Sequence, residues 1–253
     1  PTSPWLTAPK AALSALRKVR GKSAYRAHAG ACTWLNGVYW VRILRKVPGG
    51  VLIENLHDVG KIKVDKVQCA VERDLLYPLL RGRDVRRWRA EPLAHIILAQ
   101  DPQTRKGIPE AEMRRRCPKT YAYLKRFEKQ LRERSGYRKY FDPRDPFYSM
   151  YNVGPYTMAP WKVVWREQST RFQVSVVGAQ SGTQPALPDH KLMLVPCNGH
   201  RNEAHYLCAA LGSSPAVFVV ASYVLQTSTS THVLEHVGVP QYKARDPVHR
   251  QLG

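Results

Sequence analysis

The sequence predicts an α+β fold, with a strand-rich N-terminal part built on mixed sheet, followed by amphipathic and buried helices interspersed with strands. Three observations lead there. Short apolar runs bounded by Gly, Pro and Asn fill the first hundred residues, which is the pattern of strands and turns. From Pro109 onward the apolar period lengthens to that of a helix, and strands return later between helices. Hydrophobic residues make up 43% of the 253, ample for a buried core, and no internal repeat or low-complexity tract interrupts them.

Residues 8–19 read as a helix, with Leu13, Leu16 and Val19 on one face and Lys10, Arg17 and Lys18 off it. Asn36-Gly37 marks a turn, and residues 38–44 are apolar on both faces, as in a buried strand. The Pro48-Gly49-Gly50 turn separates it from a second strand at 51–55, and residues 60–71 hold at least one more, so the first third is largely a meander. An apolar start at Leu75, a turn at Tyr77-Pro78 and an arginine-rich stretch follow, and then a strand at 93–99.

Residues 109–116 and 118–134 are helical. Tyr121, Leu124, Phe127 and Leu131 form the stripe, and Lys119, Lys125, Arg126, Lys129 and Arg132 make a basic outer face. Gly136 and the prolines at 143 and 146 are expected to end that helix. Residues 148–156 form an aromatic and polar loop. Trp161, Val163 and Trp165 alternate along a strand that pairs with residues 172–177. A polar loop at 180–189 precedes a strand at 191–195. Asn202 is placed to cap a helix with Ala204, Leu207, Cys208 and Leu211 as its stripe and Gly212 as its stop. Pro215 starts a helix, apolar nearly all round from 216 to 225, and a hydroxyl-rich loop at 227–231 and a short helical tail close the chain.

Forty Lys and Arg against nineteen Asp and Glu leave a net charge of +21, a field that draws polyanions. The expected partner is nucleic acid. A membrane surface fits less well, because no apolar run approaches the ~20 residues of a span and the cations are spread over many segments. The densest cluster is residues 75–89, where Arg81, Arg83, Arg86, Arg87 and Arg89 surround Gly82 and Trp88. Guanidinium groups bind phosphate and guanine edges bidentately and stack on flat rings. A solvated basic turn is the plain alternative. The cysteines at 32, 69, 117, 197 and 208 are odd in number and include no CxxC, which points to reduced thiols in the cytoplasm and away from a zinc ribbon.

Catalytic signals are sparse. His232-Val-Leu-Glu235-His236 has the letters of the inverted zinc-protease motif, but only Asp246 follows as a carboxylate. Asp145-Pro-Phe-Tyr148 has one proline fewer than the tetrapeptide that amino-methyltransferases use. Gly49-Gly50 is an isolated pair, with no strand and acidic partner of the kind a nucleotide-like cofactor needs. Pro188-Asp189-His190-Lys191 has no second acidic residue placed for a nuclease core. Neither catalytic, cofactor-binding nor metal-binding residues are expected in this chain.

Leu79-Leu-Arg-Gly-Arg-Asp84 with Trp88, after Tyr77-Pro78, resembles the PLLRGRDI...RW signature of the C-terminal specificity domain of adenine-N6 DNA methyltransferases from type II restriction-modification systems, the type IIG nuclease fusions included. Other pieces agree in order: Gly30-Ala-Cys-Thr33 with 35–39, Tyr123-Leu124, 156–159 with 162–165, 203–207 with 211–214, and Pro240 before Asp246 and His249. Gly212 departs from the family, which commonly has Asn there. The resemblance covers nearly the whole chain. It implies a helical lead-in at 1–20 from an upstream methyltransferase domain and a DNA target-recognition domain at 21–253, with a possible sub-boundary near 100–120. The opening Pro1-Thr-Ser-Pro, without methionine, fits a piece of a longer polypeptide.

What the resemblance implies for function is recognition. The parent would bind S-adenosylmethionine and methylate a flipped adenine, alone or fused to an endonuclease, while this part grips duplex DNA. The candidate contacts are Arg81, Arg83, Arg86, Arg87, Asn152, Tyr156, Lys162 and Arg166, with Asp84 bracing one arginine. An RNA-binding module of a modification or defence system is the alternative, which the aromatic loop at 148–156 would suit by stacking. A zinc metallopeptidase is a third.

Overall fold

The computed structural model describes residues 10–179, 183–197, 200–223 and 228–253. Parts of four expected elements therefore lie outside the described residues: 8–9 of the first helix, 180–182 of the polar loop, 224–225 of the apolar helix and Thr227. In chain order the first half holds α1 (Lys10–Val19), β1 (His28–Ala29), α2 (Asn36–Tyr39), β2 (Trp40–Val47), β3 (Gly50–Asn55), β4 (Gln68–Val71), β5 (Leu76–Leu80), β6 (Val85–Arg86), β7 (Arg89–Ala90) and β8 (Ala94–Ile97). Then come α3 (Glu110–Arg116), α4 (Pro118–Lys125), α5 (Glu128–Glu133), α6 (Ser135–Tyr140), β9 (Trp161–Arg166), β10 (Val174–Gly178), β11 (Leu187–Pro188) and β12 (Leu192–Cys197). The chain ends with α7 (Arg201–Gly212), α8 (Ser214–Tyr223), α9 (Val233–His236) and α10 (Pro247–Leu252). The fold is α+β, strand-rich first and helical later.

Two compact units share the chain. One comprises Ala31–Leu79 and Pro92–Met158, and the other Pro1–Gly30, Leu80–Glu91 and Ala159–Gly253. The chain passes between them at 30/31, 79/80, 91/92 and 158/159, and at no point between 100 and 120.

The unit of residues 31–79 and 92–158 is built on antiparallel strands in the order β5, β8, β2, β3, β4. The hairpin between β2 and β3 turns at Pro48-Gly49, and a Cβ at Gly50 would fall 2.1 Å from the Val71 carbonyl of the neighbouring strand. Residues 36–39 coil into a helical turn before the strand begins at Trp40, because Tyr123 donates its hydroxyl to Val38 O (2.6 Å) and Tyr39 donates to Tyr148 O (2.8 Å). Tyr77-Pro78 does not turn. Pro78 lies opposite His95 within β5, since proline removes a donor but keeps an extended φ.

The helical stripe of Tyr121, Leu124, Phe127 and Leu131 is buried as its spacing predicts, although the helix breaks between α4 and α5. Gly136 does not end the helical region. It lies within α6, where a Cβ would fall 2.0 Å from the Trp34 indole. The chain breaks instead at Arg134, whose extended backbone (ψ 131°) turns its side chain inward. That guanidinium is 2% exposed and donates to Leu131 O (2.7 Å), Thr33 O (2.8 Å), Phe147 O (2.7 Å) and Ser149 O (3.1 Å). The rings of Tyr39 and Tyr137 lie 5.5 and 5.6 Å from it. One cation thus ties the α5–α6 junction to the loops at 33 and 147–149.

The other unit carries the antiparallel order β1, β12, β9, β10. Val163, Trp165, Met193 and Val195 from this sheet share a core with Ala204, Leu207, Cys208 and Leu211 of α7 and Ala216, Val219 and Val220 of α8. α1 is part of that core through Leu16 and packs on α8, so it is integral to the unit. α7 starts one residue before Asn202, and His200 holds the cap position without a side-chain bond, so the expected asparagine cap is absent. Among the described residues no single helix is long and apolar enough to cross a membrane. α7 and α8 approach that composition together but are bent by 59° where they meet, and their apolar faces lie in the core.

Arg134→Ala would leave four buried carbonyls without a donor, and it is expected to lower stability by about 3 kcal/mol or more. Urea unfolding should show a lower midpoint, with Arg134→Lys recovering only part of the loss, since an ammonium cannot span the same carbonyls.

Candidate nucleic-acid interface

The arginine-rich stretch folds as a short 3-10 turn, Gly82–Asp84, followed by the β6–β7 hairpin. Arg81 precedes the turn and is 6% exposed. Its Nε and Nη2 donate to the two Asp84 carboxylate oxygens at 2.8 and 3.1 Å, and its backbone N–H donates to Asp84 Oδ2 at 3.0 Å. This bidentate pair is the bracing expected of Asp84, and Arg81 itself is the arginine it holds. A second acid secures the turn: Asp189 accepts from the backbone N–H of Gly82 and from that of Lys191 (2.7 Å), while its own N–H donates to Leu80 O (2.9 Å). Burial pushes the Asp189 carboxyl up to about 6.

Arg83, inside the turn, and Arg86 and Arg87, beyond it, are exposed. Arg89 pairs with Glu91 through two bonds of 3.0 and 2.9 Å, an exposed pair that solvent screens. Arg87 and Trp88 form the hairpin tip. Trp88 has φ +66°, a left-handed conformation that a bulky side chain rarely takes, and its N–H donates to Val174 O at 3.3 Å. Ser175 Oγ donates to Arg86 O and Arg166 Nη2 to Val85 O, so the hairpin is fastened to β9 and β10 of the same unit.

The remaining candidates divide. Arg166 is half-buried, and its Nε has no partner among the described residues. Lys162, expected to hold phosphate, is 1% exposed. Its ammonium donates to Ala159 O and to Ala186 O (3.1 Å), so it faces inward. β9 is a strand as its alternation predicts, but both of its faces are buried, Lys162 and Val164 as fully as Val163 and Trp165. Asn152 and Tyr156 belong to the other unit. Asn152 is half-buried with φ +55°, and the Arg105 guanidinium lies 5.8 Å from the Tyr156 ring.

Sequence reading missed one aromatic cluster. Trp34, Tyr140 and Tyr151 come together in the 31–79 and 92–158 unit, with Trp34 stacked on Tyr140 (5.9 Å) and Tyr140 on Tyr151 (4.9 Å). Tyr140 and Tyr151 are 49% and 41% exposed, and Lys139 Nζ lies 5.1 Å from the Tyr140 ring. Only the aromatic content of residues 148–156 hinted at it. The His232–His236 motif forms a short turn in which His232 Nδ1 lies 2.9 Å from Glu235 Oε1, and no group of three or more His, Cys, Asp and Glu arranged to hold a metal occurs among the described residues.

No family model matches the chain. A 93-residue stretch is 32% identical to the type II methyltransferase M.NspV of Nostoc sp. (strain ATCC 29411 / PCC 7524), covering 37% of this chain and 18% of that protein. The chain is thus similar over part of its length to a type II methyltransferase, and the matched stretch is under a fifth of that relative.

Burial pushes the Lys162 ammonium down to about 7 from 10.5. Between those values the unfolded chain binds the extra proton, so this group makes stability rise with pH, at up to about 1.4 kcal/mol per unit. Asp189 acts oppositely: with its pKa raised from 3.8 to about 6, the folded chain holds the extra proton, and stability falls as pH climbs through that window. Urea midpoints between pH 7 and 9 should therefore rise in the wild type and rise less in Lys162→Met. Equal slopes would show that Lys162 is solvated when charged.

Proposed function

We propose that the chain recognises duplex DNA sequence-specifically, as the specificity domain of a restriction-modification adenine-N6 DNA methyltransferase. The observation that carries this reading is the braced turn. Asp84 and Asp189 fix the backbone of residues 80–84, with the exposed Arg83 inside that fixed turn and the exposed Arg86 and Arg87 on the hairpin that follows. The partial similarity to a type II methyltransferase and the net charge of +21 support it.

In this reading the arginines divide by task. Contacts to phosphate set register without selecting sequence, whereas a guanidinium presented squarely to a guanine O6 and N7 selects it. A pre-formed turn lowers the ordering cost of such a contact. Arg83 lies inside the braced turn, between Arg81 and Asp84, and is the candidate reader. Arg86 and Arg87, on the hairpin, are the candidate phosphate contacts, with Arg166 behind them and Asn152 and Tyr156 as candidates in the other unit. Arg81 and Lys162, buried, contribute by holding structure. The methyl transfer, the S-adenosylmethionine and any nuclease belong to an upstream domain of the parent, working in the cytoplasm, where its thiols stay reduced. The target adenine is expected to leave the stack there, since its amine is inaccessible within the duplex.

A single-stranded RNA reading has one observation in its favour, the exposed Tyr140–Tyr151 stack, which is of the kind that unstacked bases cover. Competition decides between the two: an excess of single-stranded RNA should fail to displace a duplex DNA probe.

Duplex affinity should fall steeply with salt, by on the order of a thousandfold between 50 and 200 mM if about 6 to 10 phosphates are neutralised. Arg86→Ala and Arg87→Ala should weaken all sequences alike and each reduce the salt slope by about one, while Arg83→Ala should cost about 1–3 kcal/mol on the preferred site and relax it at one base pair. Arg81→Ala should instead lower the melting temperature. A flat salt response would show that the charge serves solubility alone.

A further inference from the structure

A cleft of about 560 Å³ lies between the tip of the β6–β7 hairpin and α8, and of its walls duplex recognition as argued above uses only Arg87. Its size falls within the roughly 300–1,000 Å³ of small-molecule sites. Trp88 stands in it with 54% of its surface exposed, although its left-handed backbone is a strained conformation for a bulky residue. Burial of the indole does not repay that strain. The fold nevertheless makes room for the ring, since a Cβ at Gly212 would come within 2.6 Å of Trp88 Cη2. Alanine or asparagine at 212 would displace the indole.

The chemistry of the walls is mixed in a particular way. Arg87 places its guanidinium 5.1 Å from the Trp88 ring centroid, and Arg171 adds a second exposed cation. Phe218, on α8, presents another ring, 38% exposed, and the hydroxyl-bearing Ser214 lies on the same wall. Aromatic faces take a flat ring, guanidiniums take an anion, and hydroxyls take or give a hydrogen bond at its edge. A ligand that offers all three from one small body is a nucleotide.

We propose that this cleft takes one unstacked nucleotide, its base against Trp88 and Phe218 and its phosphate held by Arg87 and Arg171. The inference rests on the nucleic-acid reading for its source of charge complementarity, +21 on the chain, and deepens it by assigning a place to a base outside the helix. Two sources share this chemistry: a base displaced from a duplex, and a free mononucleotide.

The test uses the whole chain and three probes: a duplex carrying one unpaired 2-aminopurine, the same duplex fully paired, and free deoxyadenosine monophosphate. Stacking of one base on an aromatic side chain corresponds to roughly five- to hundredfold in affinity, so the bulged duplex should bind on the order of tenfold tighter than the paired one and its 2-aminopurine emission should be quenched. Trp88→Ala and Phe218→Ala should each remove that preference and leave paired-duplex affinity unchanged. Phe218 is exposed on its helix, so it decides the matter if Trp88→Ala fails to fold.

Equal affinity for bulged and paired duplex, with steep salt dependence retained, would overturn the cleft assignment and leave duplex recognition standing. A preference that survives both substitutions would also overturn it, because the base would then lodge elsewhere. Binding of the free mononucleotide that both substitutions abolish, in a chain that binds no duplex, would uphold the cleft and refute the proposed function. Failure of all three probes would sink both.

Discussion

The bidentate pair between Arg81 and Asp84 is the interaction on which the arginine-rich segment depends. A run of cations with a glycine at its centre has no reason of its own to hold one shape, and self-repulsion would spread it. Burying one guanidinium against a carboxylate that is itself 2% exposed changes this, because the desolvated pair is held by three hydrogen bonds from one residue. Buried pairs of this kind add little net stability, but removing one partner is costly, so the geometry is strongly enforced. Asp189 repeats the device from a second direction through Gly82 and Leu80. The exposed arginines that follow inherit a fixed backbone.

The same economy of charge runs through the molecule. A net charge of +21 suggests a uniformly basic surface, yet several of its cations never reach solvent. Arg134 is enclosed by carbonyls and tyrosine rings, Lys162 by two carbonyls, and Arg81 by a carboxylate. Each is satisfied by acceptors that the fold supplies, and a buried cation without such acceptors would deprotonate or unfold its surroundings. The guanidinium suits this work better than an ammonium, since its five donors can join several strands of backbone at once. Basicity therefore supplies two things here, an outward field and internal cross-links, and composition cannot apportion them.

Trp88 shows the opposite case, a large apolar ring left outside. Its strained backbone, the gap opened by Gly212 and the guanidinium beside it form one arrangement, and each part makes sense only with the others. Gly212 is where the ring needs clearance. Strain of this kind persists where surrounding structure over-determines it, and here the hairpin is tied to the sheet through Val174, Ser175 and Arg166.

Local periodicity alone was enough for the α+β class, for the strands expected at 51–55, 161–166 and 191–195, and for the buried stripe of Tyr121, Leu124, Phe127 and Leu131, because apolar spacing reports which face an element must bury. Charge density singled out the arginine stretch, and the expected partnership of Asp84 with an arginine is present as the Arg81 pair. Periodicity failed where a distant partner outweighs local preference: Val38–Tyr39 coils because Tyr123 and Tyr148 hold it, and the glycine at 136 marks the close approach of Trp34 and not a helix end. It failed too for Lys162, since a charge looks the same in sequence whether it meets water or two carbonyls. Which cations point outward, and which rings stand beside them, was decided only by the tertiary structure, because burial is a property of the neighbours that folding brings and not of the residue itself.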